Sequence, residues 1–245
     1  MGRLRQVKTK RRKNQMASFK GFSEETIQFL LELRANNNRD WFKTNKSRYE
    51  QFVKEPSKEF SIALAGALSE LSPHPDKPAP FEYSIFRIYR DIRFSKDKSP
   101  YKTNIGALFW QGDKPKMENP GFYFHLEPPN LMLGNGLYKF SKEVLNEYRD
   151  SVVDPKTGRE LLLAIQKVQE KGPYSIGGQH YKRTPRGYDP DVESADLLLH
   201  NGLYTGLESE IPVELYSSSL IDYCLGIYRD LTPIYNWLVE LVERT

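Results

Sequence analysis

Ser84-Ile85-Phe86-Arg87-Ile88-Tyr89-Arg90-Asp91-Ile92-Arg93-Phe94 decides how the chain is read, because hydrophobic spacing switches here from helical to alternating. Phe86, Ile88, Arg90, Ile92 and Phe94 fall on one face of a strand; Arg87, Tyr89, Asp91 and Arg93 fall on the other. Ile105 to Trp110 reads as a second strand. Phe122 to Glu127 reads as a third, with Phe122, Phe124 and Leu126 opposing Tyr123, His125 and Glu127. Leu131 to Leu133 gives a short fourth strand before the turn-like Gly134-Asn135-Gly136. Short strands joined by turns predict an antiparallel meander with one apolar and one polar face.

Helices flank this block. Ser23 is a suitable N-cap, Glu24 and Glu25 suit the first turn, and Ile27, Leu30, Leu31 and Arg34 follow at helical spacing until Asn36-Asn37-Asn38. A second helix starts near Asp40 with Trp41, Asn45, Tyr49 and Phe52 on one stripe, and Pro56 opens a third that carries Phe60, Leu64, Leu68 and Leu71. Helical periodicity returns over Lys142 to Val152 and Gly158 to Lys171, with a short helix near Ser194 to His200 and a strand near Leu203 to Leu207. Thr232-Pro233 reads as the cap and first turn of a last helix. Gly172 to Asp191 reads as a long loop, functional or mobile. The expectation is α+β, a central antiparallel sheet flanked by N-terminal and C-terminal helices, with residues 18–245 forming one domain.

Composition narrows the function classes. A 38% hydrophobic, 13% aromatic chain of 245 residues can bury a sizeable core. No apolar run approaches the roughly 18 residues that span a bilayer, and no signal-type segment follows the first residues, so a cytoplasmic protein without membrane partners is expected. The lone Cys224 excludes an internal disulfide and a Cys-rich zinc site; a buried small hydrophobe is the expectation, not a nucleophile. The net charge of +4 hides an asymmetry: residues 1–17 hold seven cations and no acid, which leaves 29 cations against 32 carboxylates elsewhere. That basic tail reads as disordered, able to bind nucleic acid or an anionic membrane surface, or as a stretch ahead of a start at Met16.

Between Arg87 and Asn104 lie six cations and two carboxylates. Arg87 and Arg93 on one rigid strand face would make a preorganised anion site, since the guanidinium fork matches carboxylate and phosphate. The alternative is a solvated face laced with weak cross-strand pairs. Arg90, on the apolar face, needs a buried partner, read as a helix carboxylate; the alternative is a bulge near Asp91 that turns it toward the site. Lys96, Lys98, Tyr101 and Lys102 form a flanking turn able to cover an anion. His125, with Asp91 or Glu127, is the candidate for acid–base catalysis. His74, His125, His180 and His200 show no metal-ligand spacing, and no dinucleotide, Walker or nucleophile-elbow motif occurs, so no metal or cofactor is expected.

Several segments in one order resemble a known family: Phe19-Lys20-Gly21-Phe22, Asn37-Asn38-Arg39-Asp40-Trp41-Phe42, Arg87 to Asn104, Gly121-Phe122-Tyr123-Phe124-His125-Leu126-Glu127-Pro128 and Lys182-Arg183-Thr184-Pro185-Arg186-Gly187-Tyr188. They resemble the family of uncharacterised proteins called domain of unknown function 2461. The resemblance covers about residues 19 to 243 and implies one domain with no assigned activity. It adds Arg183 and Arg186 to the anion site and joins them to Arg87, Arg90, Asp91, Arg93, Lys96, Lys98, Tyr101, Lys102, His125 and Glu127. The resemblance also implies a histidine at the position of Asn104, which can still hydrogen-bond but not replace a catalytic imidazole. Two function classes follow. One is a binding site, with or without catalysis, for a small phosphate- or carboxylate-bearing molecule. The other is a nucleic-acid or protein interaction module that uses the same basic and aromatic surface.

Overall fold

In the computed structural model, which describes residues 19–76 and 79–245, a six-stranded antiparallel sheet is the central element. Its strands are β1 (Glu82–Ile85), β2 (Ile105–Trp110), β3 (Gly121–Glu127), β4 (Asn130–Leu137), β5 (Ser175–Gln179) and β6 (His200–Glu210). All pairings are antiparallel in the order β1-β2-β3-β4-β6-β5, so the first four strands form a meander and the last two a hairpin added in reverse. The basic run at residues 1–17 lies outside the described residues.

Alternation splits the sheet into two unlike faces. Phe109, Phe122, Phe124, Leu126, Leu131 and Leu133 are buried on one of them, beneath the helices. There α4 (Glu55–Ala67) packs on β1 and β2, and α7 (Leu220–Glu243) on β4 and β6. Phe60 of α4 meets Phe124 at 4.4 Å between ring centroids, and Phe122 meets Tyr235 of α7 at 4.5 Å. Burying each such ring stabilises the fold by roughly 1.5–3 kcal/mol. The N-terminal α1 (Glu24–Ala35) and the short α2 (Arg39–Thr44) and α3 (Lys46–Tyr49) border this layer. Helices α5 (Lys142–Val153) and α6 (Thr157–Lys171) pack against α7 instead of on the sheet.

The structure departs from the sequence expectations at four places. The strand expected through Phe94 ends at Ile85, and only Tyr89 pairs beyond it, in a single bridge to Tyr101. Gly134-Asn135-Gly136 is not a turn: β4 runs through it, because β4 and β6 approach so closely that a Cβ at Gly134 would lie 2.6 Å from the Thr205 carbonyl oxygen. The Gly172–Asp191 segment contains β5, whose pairing slips between Gly177 and Gln179, where Gly178 has φ +116°. Pro233 lies inside α7 and does not open a helix. It cannot donate to Arg229, whose carbonyl accepts the Thr232 hydroxyl at 2.8 Å instead.

Candidate ligand-binding site

The other face of the sheet carries the features of a site. Leu108, Tyr123, Gly134 and Gly206 form one cross-strand row, and Gly121, Gly136 and Tyr204 form the next. Gly134 and Gly206, side by side on β4 and β6, put backbone without side chains in the middle of the face. Around them rise Phe86, Leu108, Met117, Tyr123, Tyr138 and Tyr204, which enclose a groove of about 520 Å³. That volume falls in the usual range for small-molecule sites. Tyr138, 74% exposed, stacks on Tyr204 at 5.7 Å and forms the wall toward β5.

The opposite wall is cationic. The Lys102 ammonium lies 5.2 Å from the Phe86 ring centroid and the Lys116 ammonium 5.7 Å from it. Lys116 donates to the Ser84 hydroxyl at 3.1 Å. Neither lysine has a carboxylate within salt-bridge distance among the described residues. Burial, and then the like charge of Arg87, push Lys102 below the ordinary lysine range. Two cations held against one ring without a counter-ion form an unneutralised corner.

At the end of the groove β3 aligns Tyr123, His125 and Glu127 on the same face by its two-residue period. The Tyr123 hydroxyl lies 2.8 Å from His125 Nδ1, and His125 Nε2 lies 3.4 Å from Glu127 Oε2. Since a carboxylate only accepts, the neutral tautomer that suits this line places the proton on Nε2 toward Glu127 and lets Nδ1 accept from Tyr123. Burial, followed by the charge of Glu127, holds the Tyr123 phenol above its ordinary range. Glu127 also accepts from Thr103 at 2.9 Å, and Arg34 of α1 approaches it at 3.5 Å. His125, Glu127, Met132 and Glu208 line a second cavity of about 470 Å³, which adjoins the first through Met132 and Glu208.

The expected site residues divide into three groups. Lys102, His125 and Glu127 belong to this face, and Arg87 bears on it through its charge on Lys102. Asp91 and Arg93 do not join it, because the Arg93 guanidinium grips both Asp91 oxygens, at 2.9 and 2.7 Å, on an exposed loop. That grip lowers the Asp91 carboxyl and leaves it no contact with His125. Arg90 makes its structural pair with Asp97 of the same loop and donates to the Ser99 carbonyl at 3.1 Å, so no helix carboxylate is involved. Lys96 is exposed, and Lys98 donates to the Ile92 carbonyl at 2.9 Å.

Tyr101 is core: 6% exposed, it stacks on Phe42 at 4.1 Å. Arg183 and Arg186 follow β5, at the sheet edge opposite the β1 edge from which Arg87 departs, and line neither cavity. Their loop is tied to α5, where Tyr188 donates to Asp150 at 2.8 Å and Arg149 lies over Tyr181. The single pocket joining Arg87, His125 and Arg186 is therefore not formed. Sequence reasoning missed Phe86, Lys116, Tyr138 and Tyr204; the readable signal was glycine at alternate positions of β4.

A family model described as "Conserved hypothetical protein (DUF2461)" matches residues 25–237. The chain belongs to the DUF2461 family. The DUF2461 match runs from α1 into α7 and takes in every residue named on the open face. No curated protein matches the chain. Cys224 is fully buried, with its thiol pushed up by that burial. Among the described residues no helix is long and apolar enough to cross a membrane.

Proposed function

We propose that this DUF2461 protein binds a small anionic molecule on the open face of its sheet, with the anion at the Lys102–Lys116 corner and Arg87 adding to the local field. The observation that carries the reading is the pair of uncompensated ammonium groups held against Phe86 at the rim of an apolar groove. An unpaired, half-buried lysine costs the free protein stability that a bound anion returns. The Tyr123–His125–Glu127 line supplies a proton-handling group beside the same groove. Sulfate, phosphate and short carboxylates at millimolar concentration should raise the melting temperature, as native-state ligands do. The doubly substituted Lys102→Met, Lys116→Met protein should lose that shift; equal shifts in both proteins would refute the proposal.

A second reading rests on the loop after β1. Phe94 is 94% exposed, with the Arg93 guanidinium 5.8 Å from its ring centroid, and Tyr89 is 55% exposed nearby in sequence. Exposed aromatics among cations suit stacking on single-stranded nucleic acid. Fluorescence anisotropy with a labelled oligonucleotide tests it: binding should weaken steeply with salt and drop in Phe94→Ala. Binding indifferent to Phe94→Ala would remove this loop from consideration.

A further inference from the structure

The floor of the groove says what shape of molecule the anion belongs to. Elsewhere on this face, glycines are roofed by the protein's own aromatic rings. The Phe86 ring lies over Gly106, where a Cβ would meet its edge at 2.9 Å. The Tyr204 ring lies over Gly177, where a Cβ would meet it at 2.2 Å. Both rings cover backbone that has no side chain to hold them off, a pairing that shields strand glycine from water.

Gly134 and Gly206, directly opposite one another on β4 and β6, differ: the nearest atoms a Cβ would meet there are strand backbone, not a ring. In the next row Gly121 is covered by the Leu108 side chain, and Gly136, at φ +127°, abuts Tyr204. At the spacing of a sheet Gly134 and Gly206 lie about 5 Å apart across the strands. Tyr123 and Leu108 stand at one side of the pair and Tyr204 at the other. Glycine inside a strand marks a place where another group comes close to the backbone. At Gly134 and Gly206 the neighbouring strand's backbone is that group, and no ring is among the nearest atoms as at Gly106 and Gly177.

We infer that the ligand is a planar aromatic or heteroaromatic anion, its ring seated on the Gly134–Gly206 floor and its charged group at the Lys102–Lys116 corner. The inference rests on the anion reading above and adds the ring. A ring on this floor repeats the Phe86–Gly106 and Tyr204–Gly177 arrangements. It also gains edge or offset contact with Tyr123 and Tyr204, the geometry aromatic pairs prefer.

The test uses 2-naphthalenesulfonate, inorganic sulfate and 2-naphthol with the full chain. The methionine methyl groups are the reporters: Met117 and Met132 line the groove, while Met1 and Met16 belong to the N-terminal stretch. With methyl-labelled methionine, 2-naphthalenesulfonate should impose ring-current shifts on Met117 and Met132 and leave the other two in place. It should bind more tightly than either sulfate or 2-naphthol. Tyr204→Ala should weaken it about three- to tenfold while sulfate binding is unchanged.

The outcomes separate the two readings. If sulfate binds as tightly as 2-naphthalenesulfonate, and both need the lysines, the anion site stands and the ring inference falls. If 2-naphthol matches 2-naphthalenesulfonate and the lysine variants bind normally, the groove takes rings but the anion reading falls, and the inference with it. Ring-current shifts absent from Met132 despite binding would also overturn it.

Discussion

Replacing Lys102 with Met should separate what this lysine does for binding from what it does for folding. The ammonium is half-buried, pushed below its ordinary range by burial and then by Arg87. A base whose folded-state pKa is depressed destabilises the fold wherever both states are protonated, which includes neutral pH. That penalty fades as pH rises through the depressed value toward the unfolded lysine range. Methionine keeps the stem over Phe86 and removes the charge. The lost cation–π contact is worth about 0.5–1 kcal/mol, and a thioether on the same ring returns a comparable amount, about 0.3–1.5 kcal/mol.

The variant should therefore melt at or above the parent temperature at neutral pH, and the difference should shrink in alkaline buffer. Its affinity should fall. One charge-assisted hydrogen bond contributes about 1.5–3 kcal/mol, so at about 1.4 kcal/mol per decade the Kd for 2-naphthalenesulfonate should rise about 10- to 150-fold. Isothermal titration and a melting curve on the same sample check both arms. An unchanged Kd would refute the placement of the anion. A clear fall in melting temperature would show instead that Lys102 holds the fold together.

Other consequences can be checked on the same protein. Phe60→Ala, which removes a fully buried ring wedged against Phe19, Phe22, Phe109 and Phe124, should cost about 3–5 kcal/mol in a urea melt. Cys224, buried on α7, should react with a thiol reagent only at the rate of unfolding, so full reaction under native conditions would contradict its burial. Asp97 should titrate near about 2, held down chiefly by Ser99 and then by Arg90. Its contribution to stability is present above the ordinary aspartate range and disappears as pH falls through that value. In Arg90→Met, the carboxyl resonance followed by NMR should show a midpoint moved up but still below an ordinary aspartate, because Ser99 remains.

The order of helices and strands was legible because its signals are local and repeated. Phe122, Phe124 and Leu126 alternate with Tyr123, His125 and Glu127 strictly enough that parity alone put the latter on the open face, where they lie. Parity failed over Arg87 to Phe94, because an alternating pattern cannot report where pairing partners run out. After Ile85 the backbone leaves β2, and side chains there answer to loop contacts such as Arg90 with Asp97. The glycines of β4 were misread for a similar reason. A turn-like Gly-Asn-Gly and a strand pressed against its neighbour share one local signature, and only the partner strand β6 distinguishes them. Lys116 lies between β2 and β3 and Tyr138 between β4 and α5, so nothing in their own neighbourhood announces that they close a groove.

The slip in β5 bears on how this molecule behaves in company. A sheet with two free margins offers two templates for a neighbouring chain to extend, the route by which soluble proteins turn into fibres. One margin here, β1, is four residues long and leads straight into a loop. The other is bent where Gly177 and Gln179 fall out of step and Gly178 turns through a conformation foreign to side-chain-bearing residues. A strand arriving from a second molecule would find no straight run of amide and carbonyl groups to copy on that side. The glycines that interrupt β5 protect solubility by making the sheet's last strand a poor one to add to.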